Sequence, residues 1–115
     1  MDQAHAIECF AALAQNSRLA ILKLLMRQTP GELRVGDISR QLGIVPSTLS
    51  GHLSVLRRCG LLQSRRKQRE IFYSVDLETI NDLMLFIVEE CCNGNMQSCE
   101  KTLRLFQAGA GDSPP

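Results

Sequence analysis

Val35-Gly-Asp-Ile-Ser-Arg-Gln-Leu-Gly43 and, after Ile44 and Val45, Pro46-Ser-Thr-Leu-Ser-Gly-His-Leu-Ser-Val-Leu-Arg-Arg-Cys-Gly60 are two apolar patterns of helical period with a sharp turn between them. In the first, Val35, Ile38 and Leu42 fall on one face and Gly43 closes the helix, because glycine takes the left-handed conformation past a helix end without a Cβ penalty. In the second, Pro46 sits just inside the start, where no backbone N–H is needed, and Leu49, Leu53 and Leu56 face a core until Gly60 ends the run. Two short helices joined by a tight glycine-containing turn form a helix-turn-helix.

The flanks extend this unit in both directions. Upstream, Ile7, Phe10, Ala11, Leu13 and Ala14 predict a short helix. Asn16 or Ser17 then caps a second one carrying Leu19, Ile21, Leu22, Leu24 and Leu25, which stops at Thr29-Pro30-Gly31. Downstream, residues 61–66 and 70–75 flank a charged tip, and Ile71, Tyr73 and Val75 alternate with Phe72 and Ser74, which predicts a β-hairpin wing. Asp76 caps a last long helix in which Leu77, Ile80, Leu83, Met84, Ile87 and Val88 recur. That helix is apolar around more of its circumference than one core requires, the mark of a helix that also meets a second subunit. A short segment with Leu103, Leu105 and Phe106 is also read as helical. The expected fold is mainly α with a small β-hairpin (α+β), a winged helix-turn-helix dimerising through its terminal helices. It occupies residues 1–107, and 108–115 form a disordered tail.

Charge points to a polyanion. The chain of 115 residues has a formal charge of only +1, but between Asp37 and Glu70 there is no acidic residue and seven basic ones. The rest of the chain holds all twelve acidic residues against six basic ones. Such asymmetry suits a protein that presents one face to nucleic acid. Asp2 and Glu8 interrupt the start, so no secretory signal is expected, and no apolar run approaches the roughly 18 residues of a membrane span. A cytoplasmic location without membrane contact is expected. His5 and His52 are far apart and the carboxylates scattered, which gives no base–nucleophile pair and argues against an enzyme.

Five cysteines, an odd count, argue against a disulfide framework. Cys91, Cys92 and Cys99 make a soft-ion site suited to zinc, copper(I) or thiophilic metalloids. A straight helix would carry Cys99 about 10 Å beyond Cys92 at roughly 1.5 Å per residue. Two sulfurs on one ion bonded at about 2.3 Å lie within about 4.6 Å of each other. The chain is therefore expected to fold back at Asn93-Gly94-Asn95, residue types that accept left-handed geometry. Cys59 continues the leucine stripe and Cys9 adjoins Phe10, so packing in the core is expected for both.

On the second helix of the motif, a 100° step puts Ser47, Gly51, Ser54 and Arg58 opposite the leucines, with Thr48 and Ser50 at the exposed N-terminal end. These are the candidates to enter a major groove. Small hydroxyls serve several bases, and no Arg, Asn or Gln stands there for a bidentate base contact, so DNA shape or bridging water is expected to add to readout. His52 is a candidate phosphate contact or a structural histidine. The wing tip Arg65, Arg66, Lys67 and Arg69 is assigned to phosphate and minor-groove contact.

The order helix, helix, helix-turn-helix, wing, helix resembles the winged-helix bacterial regulators of the ArsR/SmtB family over almost the whole chain. The segment Ala12-Leu-Ala-Gln-Asn-Ser-Arg-Leu-Ala-Ile-Leu-Lys-Leu-Leu25 and the helix-turn-helix quoted above carry the likeness. The resemblance implies a homodimer that sits on operator double-stranded DNA and is released when a metal or metalloid binds. Residues 35–42 contain no cysteine, and no histidine–carboxylate site is evident along the last helix. The chain is thus similar to the arsenic-responsive branch with cysteines at the end of the dimerisation helix. That likeness implies that Cys91, Cys92 and Cys99 bind As(III) or Sb(III) as inducer through three thiolates of one chain, with no organic cofactor. A trivalent metalloid accepts three sulfurs, whereas structural zinc takes four ligands. Two alternatives remain: a thiol redox or persulfide sensor of the same fold, and a thiol metal-binding protein or chaperone with no DNA role.

Overall fold

The computed structural model describes residues 1–91 and Arg104. Five helices and three strands follow in the order α1 (Gln3–Leu13), α2 (Asn16–Gln28), β1 (Leu33–Arg34), α3 (Val35–Leu42), α4 (Pro46–Arg58), β2 (Leu62–Lys67), β3 (Glu70–Val75), α5 (Leu77–Cys91). The chain divides into two compact units, residues 1–83 and 84–115. The first holds the helix-turn-helix and the wing. Of the second, the described part is the C-terminal half of α5, where Met84, Leu85 and Ile87 are exposed, together with Arg104.

The turn of the helix-turn-helix forms as its residues dictate. Gly43 adopts φ 67°, ψ 30°, and its N–H returns to the Ser39 carbonyl at 2.9 Å. Ser39 tightens the same turn by donating its hydroxyl to the Ile44 carbonyl at 2.6 Å. Pro46 opens α4, and Ile38, Leu49, Leu53 and Leu56 are fully buried with Ile21 and Leu25 of α2. Each such side chain contributes about 1.5–3 kcal/mol by leaving water. At the end of α4 the Leu61 N–H bonds the Leu56 carbonyl at 3.1 Å and the Gly60 N–H bonds that of Arg57 at 3.0 Å, a Schellman closure around Gly60 at φ 94°. Asp76 caps α5 through the N–H groups of Glu78 and Thr79 at 3.1 and 3.3 Å.

Three features differ from the sequence reading. The wing is part of a three-stranded antiparallel sheet in the order β1-β3-β2, with Leu33 opposite Tyr73 and Arg34 opposite Phe72. A two-residue strand is too short to show alternation. The cap of α2 is Gln15, whose side chain accepts from the Arg18 N–H at 2.8 Å, so Asn16 and Ser17 fall in the first turn. In α1 the buried face is the small one, Ala6, Cys9 and Ala12, while Ile7 and Phe10, which revealed the helix, are 57% and 41% exposed. Small residues let α1 approach its neighbours closely and turn its large apolar residues outward.

Cys9 and Cys59 are buried, as core packing requires. Among the described residues no single helix is long and apolar enough to cross a membrane. Cys92, Cys99, the fold-back at Asn93-Gly94-Asn95, the helical segment near Leu103 and the tail 108–115 lie outside the described residues.

Candidate nucleic-acid interface

The leucine stripe fixes the rotation of α4 and so decides which residues face outward. Ser47, Thr48, Ser50, Gly51, Ser54 and Arg58 are all exposed, and His52 is half-buried. A Cβ added at Gly51 would meet nothing within 4 Å, so the centre of this front is open. His52 makes no side-chain hydrogen bond among the described residues. The front is polar and carries a single charge, Arg58.

The wing has the opposite character. Arg65, Arg66, Lys67 and Arg69 are exposed around the β2–β3 turn, where Lys67 pairs with Glu70 in register. Such a tight connection needs a residue at positive φ, usually glycine, and Gln68 takes that role at φ 59°. Arg57 of α4 donates to the Ser64 hydroxyl of β2 at 3.1 Å, which ties the helix to the wing.

The cations of this surface are not equivalent. Arg65 donates through Nε to Glu32 at 3.3 Å, with a second bond from its terminal nitrogen to the same carboxylate, and its guanidinium lies 5.6 Å from the centre of the Phe72 ring. The Arg65 hydrogen bond holds the Glu32 carboxyl below its ordinary range, and Glu32 in turn raises Arg65. Arg34 bridges Asp37 at 3.2 Å and Glu70 at 2.9 Å, and Arg40 also reaches Asp37. Asp37 is lowered, chiefly by its hydrogen bond from Arg34. Glu32 and Asp37 thus pair with two cations of the acid-free segment, Arg65 and Arg40. Arg58, Arg66, Lys67 and Arg69 have no carboxylate partner among the described residues. The Asp37 pairs with Arg34 and Arg40 at three-residue spacing could be read from the sequence. The Glu32–Arg65 pair spans 33 residues and gave no such signal.

No group of three or more His, Cys, Asp or Glu side chains able to hold a metal ion occurs among the described residues. Cys91 is the last residue of α5.

Residues 15–64, which span α2, the helix-turn-helix and the start of the wing, match the family model described as "Bacterial regulatory protein, arsR family". The transcriptional activator HlyU of Vibrio cholerae is 32% identical over 94 residues, covering 82% of this chain and 84% of that protein. The chain belongs to the ArsR family. It is therefore a transcriptional regulator built on a winged helix-turn-helix. The structure of reduced HlyU from Vibrio cholerae matches this ArsR-family chain with a TM-score of 0.60 at 35% identity, covering 76% of this chain and 90% of that one. A homodimeric winged helix-turn-helix DNA-binding domain from Mycobacterium bovis matches with a TM-score of 0.62 at 27% identity, covering 80% and 86%.

Proposed function

We propose that this regulator is a homodimeric repressor that binds operator DNA when apo and leaves it when arsenite or antimonite is bound by Cys91, Cys92 and Cys99. The observation that carries the DNA reading is the pairing of an open, polar α4 front with wing cations that have no carboxylate partner among the described residues. Phosphate contacts from Arg66, Lys67 and Arg69 would fix register, and Ser47, Thr48, Ser50 and Ser54 would meet base edges. Ile7 and Phe10 of α1 and the exposed apolar residues of α5 suit a second copy of the chain, in keeping with the homodimeric relative. Expected location is the cytoplasm, where the DNA is.

For the inducer, support comes from donor chemistry: three thiols within nine residues, without histidine among them, beginning at Cys91, the last residue of α5. Bound there, a trivalent metalloid supplies three bonds to sulfur. The chain's own part is to bring Cys99 back to the pair at the end of α5. A change at that end would alter the separation of two recognition helices that must match half-sites roughly 34 Å apart. The test is arsenite-induced release of promoter DNA in the Cys91→Ser/Cys92→Ser double variant. The reading expects release to be abolished while apo binding persists, and unchanged release sinks it.

A second reading is favoured by the likeness to a relative solved in a reduced form: the same three thiols would sense oxidants or persulfide. Release by peroxide or polysulfide, but not by arsenite, would select it.

A further inference from the structure

Cys9 on α1 and Cys59 at the end of α4 are fifty residues apart in sequence and adjacent in the core. Cys9 Sγ donates to the Cys59 carbonyl at 3.6 Å, and Cys59 Sγ donates to the Leu56 carbonyl at 3.3 Å. The same Cys59 carbonyl lies 2.6 Å from His5 Nε2, so α1 grips the end of the recognition helix from two successive turns.

The two thiols differ in access. Cys9 is sealed, at 0% exposure. Cys59 is 4% exposed and lines a cavity of about 250 Å³ with Glu8, Ala12, Arg18, Val55 and Arg58. A space several times the roughly 30 Å³ share of a water molecule admits a small oxidant. Burial pushes the Cys9 thiol up to about 12, and the neighbouring Cys59 adds to the rise through its charge and a hydrogen bond. Cys9 therefore keeps its proton beside any charge that forms on Cys59. Access through the cavity makes Cys59, and not the sealed Cys9, the sulfur that meets the oxidant first.

We propose that Cys9 and Cys59 are a peroxide-oxidisable pair, separate from the Cys91/Cys92/Cys99 trio, whose disulfide ties α1 to the C-terminal end of the recognition helix. Cys59 is the attacking sulfur and Cys9 the resolving one. The Cys59 thiolate attacks one oxygen of hydrogen peroxide, the O–O bond breaks, and Cys59 becomes a sulfenic acid with loss of hydroxide. The Cys9 sulfur then displaces the sulfenic hydroxyl, its proton leaves with that oxygen as water, and the S–S bond forms. Two thiols are oxidised by two electrons and one peroxide is reduced to two waters. The bond needs the sulfurs to close to about 2.05 Å, which moves α1 against the end of α4. The consequence for DNA rests on the DNA-binding reading above. The disulfide does not.

The test uses the full chain with Cys91, Cys92 and Cys99 replaced by serine, treated with hydrogen peroxide, alkylated and digested. The expected result is joint loss of both remaining thiols and a Cys9–Cys59 cross-linked peptide that dithiothreitol reverses. In Cys9→Ala, oxidation should stop at a sulfenic acid on Cys59 that dimedone traps. Survival of both thiols at peroxide concentrations that oxidise free glutathione overturns the proposal, and so does oxidation of Cys59 beyond sulfenic acid without a cross-link. The cross-link is read in the chain that retains both cysteines, so a folding defect in the alanine variant leaves the test intact. Promoter affinity before and after oxidation should differ at least threefold, and an equal affinity overturns the coupling. Absence of promoter binding in both states overturns the DNA reading while the disulfide stands.

Discussion

The α4 front and the wing belong to one candidate surface and offer opposite chemistry. Along the exposed front of α4 stand Ser47, Thr48, Ser50, Gly51 and Ser54, with Arg58 as its one charge. The wing tip packs Arg65, Arg66, Lys67 and Arg69 into five residues. Small hydroxyls can discriminate bases and give little sequence-independent attraction, whereas wing cations give attraction that every duplex shares. Under the proposed function, the difference would give specificity to the helix and most of the affinity to the wing.

The largest effect is expected from replacing Arg66, Lys67 and Arg69 together by glutamine. Removing one phosphate-binding cation lowers the slope of log affinity against log salt by about 0.9, so affinity at 0.1 M salt should fall by roughly several hundredfold with preference among sequences kept. A slope that stays put would break the comparison from the wing side. Next in size, Thr48→Ala and Ser50→Ala should each cost about 0.5–1.5 kcal/mol of discrimination between operator and mutated operator, the worth of a single hydrogen bond, with the slope unchanged. Competition titrations at fixed salt read this directly. A uniform loss on all duplexes would show that these hydroxyls position the helix and do not read bases.

Gly51→Ala sharpens the helix side by a different measurement. Glycine inside a helix costs roughly 0.5–1 kcal/mol against alanine, and the added methyl meets nothing within 4 Å, so the variant should melt at a higher temperature. A lower melting temperature would mean that the α4 front is covered.

How much of this was legible in the sequence depends on the range of the signal. Gly43, Pro46 and the leucine stripe each act within one or two turns of backbone, and the structure places them as read. The wing was legible as two runs around a charged tip, the second of them alternating, but β1 was not, because Leu33 and Arg34 owe their strand geometry to pairing with Tyr73 and Phe72. The orientation of α1 was hidden because its revealing residues, Ile7 and Phe10, face outward and its packed face is small. Of the candidate interface, the exposed α4 residues followed from helical geometry. The division of the cations into paired and unpaired did not, since Glu32 reaches Arg65 only through the fold.

That division gives a smaller prediction inside the wing. Arg65 is held by Glu32 and lies over Phe72, so Arg65→Gln should leave the salt slope nearly unchanged, while Arg66→Gln lowers it by about 0.9. An equal drop for both would show that DNA takes Arg65 from Glu32. The smallest effect concerns acid. Glu32 and Asp37 are lowered in the folded protein, so their pairs support folding above the ordinary carboxylate range and the support fades as pH falls through the lowered values. Glu32→Gln should melt slightly below the parent at pH 7 and level with it once the pH is below the lowered Glu32 value. A gap that persists in acid would show that the side chain acts through packing.

The most direct measurement is an anisotropy titration of the full chain on its own upstream duplex and on a scrambled duplex, at several salt concentrations, with and without arsenite. The account predicts tighter binding to the upstream duplex, a steep negative salt slope on both, and release of the upstream duplex by arsenite. Equal binding to the two duplexes at matched salt, or no binding to either, would contradict it.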